Sequence, residues 1–492
     1  MIDEDSPPEL PRGWVRTRLG EIVVDIENVN PKDTPRRDFI YLDIASIDNS
    51  QQKITNPKKY FGKDAPSRAR QLVKTGDILF STVRTYLKNM AMVNEIYDGQ
   101  IASTGFCVIR PYDLINKRLI FYLVQTDFFL NPLTQIQRGT SYPAVRNSDV
   151  FAQFIPLPPL PEQHRIVAKI EELFTKLDAG VEALKKVKMQ LKRYRQSVLK
   201  HAFEGKLTEE WREAHKDEIE PASVLRERIK KERKMKAKGK YKELPAPNIS
   251  DLPELPESWV WATVGEVMEP SKEKVDPMKI EEMPYISLEH VEKDTGKLLG
   301  HGSSGEVRSS KTKFNSGDLL YGKLRPYLNK IHLANFEGVC STDILVFPNA
   351  NHISNAFFLY RFLCRDFVNY ASQNVSGVNL PRVNFRTLAQ FEIALPPLLE
   401  QHKIVEEIEH RLSIADGVEK IVDESLKRSE RLRQSILKRA FEGKLMPRDP
   451  SDEPAEKLLE RIKAEKAKHE VKKKSKRTIR MKKSREKRRR YK

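Results

Sequence analysis

Between residues 162 and 203 the chain carries no proline, and Ile170, Leu177, Leu184, Leu191 and Val198 recur at every seventh position. Leu173, Val187 and Tyr194 each follow a member of that series by three places. A heptad stripe of this kind predicts a helical arm about 60 Å long, beyond the span of a compact core helix and typical of a coiled coil. Residues 400–441 predict a second arm, in which Ile408, Val422 and Ile436 keep the register while Ala415 and Ser429 fill the other seam positions. Neither stripe is stable in water, so the two arms are expected to pack antiparallel on each other. The alternative is that each helix covers its own globular neighbour. Outside the arms, the short apolar runs Ile78 to Phe80, Phe106 to Ile109 and Ile344 to Phe347 predict strands. The longer aromatic and leucine-rich runs Leu119 to Leu130 and Phe357 to Tyr370 predict buried helices.

The two arms are copies of one another. Leu157-Pro158-Pro159-Leu160-Pro161-Glu162-Gln163-His164 returns as Leu395-Pro396-Pro397-Leu398-Leu399-Glu400-Gln401-His402. Arg195-Gln196-Ser197-Val198-Leu199 through Phe203-Glu204-Gly205-Lys206-Leu207 returns, at the same offset, as the segment from Arg433 to Leu445. The globular parts repeat as well: Leu10-Pro11 and Trp14 match Leu255-Pro256 and Trp259, and Val83-Arg84-Thr85-Tyr86-Leu87 matches Leu324-Arg325-Pro326-Tyr327-Leu328. A basic helix duplicated around Arg228-Ile229-Lys230 and Arg461-Ile462-Lys463 follows each arm. The chain is a tandem duplication, an arrangement that suits engagement of two places on one partner.

With 88 Lys and Arg against 69 Asp and Glu, the formal charge of +19 favours nucleic acid or an anionic surface. No apolar run approaches the roughly 20 residues of a spanning helix, and the acidic Asp3-Glu4-Asp5 start is unlike a signal peptide, so a cytoplasmic protein without membrane contact is expected. Cys107, Cys340 and Cys364 are scattered, which implies neither a disulfide framework nor a zinc site. The sequence lacks a phosphate-binding Gly-x-x-x-x-Gly-Lys-Ser/Thr loop, a His-Glu-x-x-His pair and a Gly-x-Gly-x-x-Gly loop. It also lacks the Asn-Pro-Pro-aromatic tetrapeptide of adenine methyltransferases, Asn131-Pro132-Leu133 being the nearest approach. His164 and His402, beside their Glu-Gln pairs, are read as part of a helix start. No catalytic and no metal-binding residue is therefore assigned.

The Leu-Pro-Pro-Leu-x-Glu-Gln opening, the long helix and the Arg-Gln-Ser-x-Leu-x-x-Ala-Phe-x-Gly-Lys-Leu ending resemble the DNA specificity subunit of type I restriction-modification systems. The resemblance covers residues 10 to about 465. It implies an α+β architecture of two tandem mixed α/β target recognition domains, separated and followed by long α-helices that pair as an antiparallel coiled coil. The corresponding boundaries are 1–155 and 258–393 for the target recognition domains, 156–238 and 394–471 for the helical regions, 239–257 for a Pro-rich linker and 472–492 for a basic tail expected to be disordered. That tail adds affinity for phosphates without specificity, a nuclear-targeting signal being the other reading. The resemblance also implies a non-catalytic subunit that reads a bipartite site in double-stranded DNA. Two adenine methyltransferase subunits and restriction/translocase subunits would dock on it, and these would carry S-adenosylmethionine, ATP and Mg. Two other readings stay open: a stand-alone DNA-binding or coiled-coil adaptor, and a recognition subunit of another restriction-modification type or an enzyme with an unrecognised active site.

Duplication provides an internal control, because residues kept in both halves do not distinguish two different half-sites. Arg84 and Tyr86, repeated as Arg325 and Tyr327, are expected to hold phosphates in register, with a domain-internal ion pair as the alternative for the arginines. Discrimination is expected where the copies diverge. In the loop 139–147 the candidates are Ser141, Tyr142, Arg146 and Asn147; in its counterpart 377–386 they are Asn379, Arg382, Asn384 and Arg386, all of types that address base edges or phosphates. The dissimilar polar stretches 48–70 and 292–313 are further candidates.

Overall fold

The computed structural model describes residues 9–236, 246–250 and 252–468. The duplicated chain does not fold as one half after the other. One compact unit takes in the chain up to Ala183 and again from Ser425, and a second comprises Leu184–Glu424. Each unit holds one globular domain, the root of the arm that follows it, and the far end of the other arm.

In the first unit Val15–Arg18 pairs antiparallel with Phe154–Leu157, bringing the entry and exit of the domain together. Ile78–Ser81 lies between Phe106–Ile109 and Met90–Met92, and Asp38–Leu42 runs parallel to Ile101–Ser103 in a four-stranded sheet. The second unit repeats the plan, with Val260–Thr263 on Glu392–Leu395 and Leu319–Gly322 between Ile331–Leu333 and Ile344–Phe347. Its other sheet has five strands where the first unit has four. The expected strands are all present.

The two expected domain helices are each broken in two. Lys117–Leu123 is followed by Asp127–Gln135, and Asn355–Phe362 by Arg365–Gln373. In the first break the Thr126 hydroxyl accepts from Phe129 N–H, starting a new helix inside a run whose apolar spacing looks continuous. The basic helices form at Ala222–Lys236 and at 455–468, where Ala222, Leu225 and Ile229, and Ala455, Leu458 and Ile462, are buried. Their starts are tied alike, Ala222 N–H donating to the Ser258 carbonyl and Ala455 N–H to that of Gly13, both at 2.9 Å.

The arms are unbroken helices of 44 residues, Leu160–Phe203 and Leu398–Phe441. They pair antiparallel within each unit. In the second unit Lys188 meets Asp423 at 2.8 Å and Arg195 meets Asp416 at 2.5 Å, so the partner numbers descend as the first arm ascends. The Arg195–Asp416 pair has its repeat equivalent in the first unit, where Arg433 pairs with Asp178 and lies over the Phe174 ring. Half-exposed ion pairs of this kind contribute at most about 1 kcal/mol each, which is enough to select a register and too little to hold it. Burial supplies the rest: Ile170, Ile408 and Ile436, each worth about 1.5–3 kcal/mol, are buried in the cores of the domains at the arm ends, Val422 and Ala415 are buried along the arm, and Leu177, Leu184 and Leu191 are half-buried.

Three repeated motifs meet at the foot of each arm. The Trp14 indole donates to Glu162 at 2.9 Å and the Trp259 indole to Glu400 at 2.8 Å, with both carboxylates buried. The neighbouring glutamines clamp the same joint. Gln163 accepts from Asn116 N–H and donates to the Pro158 carbonyl, as Gln401 does with Ser354 and Pro396. The opposite arm ends here at a left-handed glycine, Gly443 in the first unit and Gly205 in the second, with φ of +67° and +73°. Lys444 N–H donating to the Arg439 carbonyl and Lys206 N–H to that of His201 complete the helix stop. A Cβ on Gly443 would come within 2.4 Å of the Pro11 ring, and one on Gly205 within 2.8 Å of Pro256. The Leu-Pro-x-x-Trp entry, the Glu-Gln root and the Gly-Lys-Leu stop are therefore one junction written in three places.

Gly443→Ala is expected to lose about 1–2 kcal/mol from left-handed backbone alone, with the Pro11 clash in addition; calorimetry should show a lowered transition, and an unchanged one would contradict this packing. Burial raises the pKa of Glu162 above its ordinary 4.5, the Trp14 bond only partly opposing it. A carboxyl held higher in the folded state binds its proton more tightly there, so its contribution to stability is full in acid and falls as pH rises from about 4.5 through the raised value. Glu162→Gln keeps an acceptor for Trp14 and does not titrate. Its stability relative to wild type in urea should therefore rise between pH 4.5 and 7.5, and a constant difference would contradict the assignment.

Candidate nucleic-acid interface

The strand Ile78–Ser81 leads into Arg84, which sits in left-handed backbone at φ 49° before the turn Thr85–Leu87, and Lys88 leaves that turn at φ 53°. Non-glycine residues seldom adopt this conformation, and two in five positions mark a turn held by its surroundings. Thr85 is buried and supplies part of the hold, with Thr134 at 3.2 Å and the Gln137 amide donating at 2.5 Å. The second unit repeats the geometry at Arg325, φ 53°, and Asn329, φ 40°.

In both units this turn is laid against the loop on which the copies diverge. Arg84 N–H donates to the Pro143 carbonyl and Arg325 N–H to that of Pro381, each at 2.7 Å. Each loop closes on itself, Arg138 with Ala144 and Ser376 with Arg382, around Gly139 and Gly377 at φ 97° and 85°. Arg84 reaches further. Its guanidinium donates to the Ser141 carbonyl at 2.9 Å and lies 5.1 Å over the Tyr142 ring, while its Nε is buried without a hydrogen bond. Among the described residues, the recorded partners of Arg84 are a carbonyl and a ring rather than a carboxylate.

Arg84, Tyr86, Ser141 and Tyr142 are thus brought onto one surface, with Tyr86 and Tyr142 exposed. Arg146 and Asn147 continue it at the start of the short helix Asn147–Phe151; both are exposed, and Arg146 N–H donates to Asp149. Arg325, Tyr327, Asn379 and Arg386 are exposed on the second unit. Two residues there have structural duties. Asn384 accepts from Thr387 N–H and caps the helix Phe385–Leu388, and Arg382 is paired with Asp343 at 3.0 Å.

A third component adjoins the turn in each unit. The tight hairpin Ile47–Asp48 with Lys53–Ile54 carries Asn49, whose side-chain amide donates to the Leu87 carbonyl at 3.0 Å. In the second unit Val291 bridges Leu298, and Asp294, at φ 63°, donates its N–H to the Asn329 carbonyl. The hairpin tips are Asn49-Ser50-Gln51-Gln52 and Lys293-Asp294-Thr295-Gly296. Both fall at the leading edge of the dissimilar stretches, whose residues periodicity alone does not rank. The sequence signal was the turn chemistry, an Asp48 carboxylate accepting from Ser50 and Gln51, and Gly after Asp-Thr.

Each unit therefore offers a strained turn of the same geometry carrying Arg and Tyr, flanked by two loops of different composition. Among the described residues there is no His, Cys, Asp or Glu cluster able to hold a metal, and no helix long and apolar enough to cross a membrane. The three cysteines are buried, and burial pushes the thiols of Cys340 and Cys364 up to about 12.

A duplicated reader mounted on paired helices is the architecture of a DNA specificity module, and comparison with known proteins identifies the kind. The type I restriction modification DNA specificity domain matches twice, at residues 11–191 and 256–415. The chain is 32% identical over 370 residues to the EcoDI specificity subunit of Escherichia coli, covering 73% of this chain and 79% of that protein. It is 24% identical to the EcoKI specificity subunit of Escherichia coli K12, over 94% and 97% of the two chains. Among solved structures it resembles a chain from a study of complex assembly and conformational transition of the type I R-M system (TM-score 0.69, 29% identity, 89% of this chain and 100% of the other). It also resembles the HsdS subunit from Thermoanaerobacter tengcongensis (TM-score 0.53, 28% identity, 90% and 100%). The chain belongs to the family of type I restriction-modification DNA specificity subunits.

Proposed function

We propose that the chain reads a bipartite site in double-stranded DNA and performs no catalysis itself, each target recognition domain, 1–155 and 258–393, addressing one half-site. The observation that carries this reading is the same strained Arg-containing turn in both units, set against loops that differ. Arg84, Tyr86, Arg325 and Tyr327 contact phosphates and fix register. Ser141, Tyr142, Arg146 and Asn147, with the hairpin tip at Asn49, address one set of base edges. Asn379, Arg382 and Arg386 address the other, Asp343 holding Arg382 in place until DNA arrives, and Asn384 keeps the loop's helix start in register.

Adenine methyltransferase subunits dock on the helical regions, 156–238 and 394–471, and restriction/translocase subunits join them in the cytoplasm. S-adenosylmethionine, ATP and Mg belong to those subunits. Exposed apolar residues on the second arm support this docking: Ile414, Val418 and Ile421 sit at i, i+4 and i+7, a stripe that water alone does not favour. The expected basic tail, 472–492, and residues 239–245 and 251 of the linker 239–257 lie outside the described residues; their added phosphate affinity and spacing roles belong to the same proposal.

Binding to a panel of single-base variants tests the division of labour. Arg382→Ala should relax selectivity at one half-site by about 1–3 kcal/mol, whereas Arg84→Ala should weaken all sequences alike; uniform weakening by Arg382→Ala would refute its reading role. Matched insertion of one heptad into both arms tests the spacer. It adds about 10 Å of helix, so the permitted gap should grow by about three base pairs while the half-site sequences stay unchanged. Methylation mapping of the reconstituted complex reads both, and an unchanged gap would mean that the arms do not set the distance.

A further inference from the structure

The hairpins that adjoin the two strained turns are seated differently. In the second unit the hairpin closed by Val291 and Leu298 is held to its own domain at the tip. Asp294 N–H donates to the Asn329 carbonyl at 3.2 Å, and the His332 ring donates from Nδ1 to the Gly296 carbonyl at 2.9 Å. The next residue, Lys297, reaches the second arm and pairs with Asp416 at 2.9 Å. That carboxylate is shared. Its Oδ2 accepts from Lys297 and its Oδ1 from Arg195 of the first arm at 2.5 Å, while Arg195 is held in turn by Glu419 at 2.8 Å. Burial acts to raise the Asp416 carboxyl, and the bonds from Lys297 and Arg195 nonetheless hold it below the ordinary aspartate range.

The first unit has the same parts in another arrangement. The hairpin closed by Ile47 and Ile54 carries Lys53 at the position of Lys297, and Asp178 is the repeat equivalent of Asp416. Among the described residues, the recorded ion pair of Asp178 is with Arg433, and the hairpin is tied to its domain by the Asn49 amide on the Leu87 carbonyl. Nearer the root the two units agree, the Tyr122 hydroxyl meeting Glu171 and the Tyr360 hydroxyl meeting Glu409, both at 3.4 Å. The Lys297 contact is thus an addition to the common plan.

We propose that Asp416 is a positioning residue for base reading by the second domain, seating hairpin 291–298 through Lys297 on the face where Arg195 joins the two arms. This rests on the reading above, in which the loops beside the strained turn address base edges. Two bonds to one domain leave a hairpin free to pivot about the line through them. A third anchor on a separate element removes that freedom and presents the tip 293–296 to DNA in one pose, so less ordering remains to be done on binding.

Binding of the complex with methyltransferase subunits to single-base variants of both half-sites tests the proposal. Asp416→Asn should lower discrimination at the second half-site about threefold to fivefold, the ceiling for a half-exposed ion pair, and leave the first half-site unchanged. Asp416→Glu should restore it. Lys297→Met should match Asp416→Asn, and the double variant should lose no more than either alone, because the two side chains act through one contact. Equal loss at both half-sites, additive losses, or full discrimination by Asp416→Asn would overturn the positioning role. Exchange of the tip 293–296 for Asn49-Ser50-Gln51-Gln52 separates this from the underlying reading. Altered selectivity on that exchange with none from Asp416→Asn sinks the positioning role alone, and unaltered selectivity on the exchange sinks both.

Discussion

A carboxylate removed from water must be given a donor, and at the foot of each arm that donor is an indole from the start of the neighbouring domain. Glu162 with Trp14, and Glu400 with Trp259, fix where the helix leaves the domain, and the adjoining Gln163 and Gln401 fix its direction by bonding backbone on both sides. The surroundings of the two carboxylates differ. Glu400 also accepts from Thr208 and Arg212 at 2.7 and 2.9 Å, whereas Glu162 has the nearby Arg165 turned toward Asp452. The first junction thus keeps a carboxylate that burial disfavours, and the second neutralises it.

Because the opposite arm stops against the same junction, the duplicated chain folds by exchange. The first domain's core receives Ile436, Leu437 and Ala440 from the end of the second arm, and the second domain's core receives Val198, Leu199 and Ala202 from the end of the first. Each unit requires both halves of the sequence. This explains why the Arg-Gln-Ser-x-Leu-x-x-Ala-Phe-x-Gly-Lys-Leu segment is copied without insertion: its apolar positions fill a core, and its glycine abuts a proline ring of the other copy's domain.

The arms, the strands and the pairing sense were legible because one physical rule controls each. Heptad burial gave the arms, and short apolar runs between turn residues gave the strands. The breaks at Thr126 and Cys364 were hidden, since both halves of each broken helix bury the same side and the apolar spacing runs on through the gap. At the interface, the repeat pointed to Arg84 and Arg325, whose left-handed backbone no residue-type rule announces. The hairpin tips at Asn49 and Asp294 were hidden for another reason: their proximity to that turn rests on long-range hydrogen bonds, which leave no period in the sequence. Asn384 shows the converse, a residue of base-reading type that the local backbone engages as a helix cap.

The central claim is that two separate readers, each built on a repeated left-handed turn and a pair of loops that differ between the copies, grip one DNA together. Hydroxyl-radical footprinting of the chain, assembled with methyltransferase subunits on its own target, measures this most directly. Two protected patches separated by an accessible stretch are predicted, and replacing loop 377–386 should erase only one of them. A single uninterrupted patch, or loss of both patches on that replacement, would contradict the account.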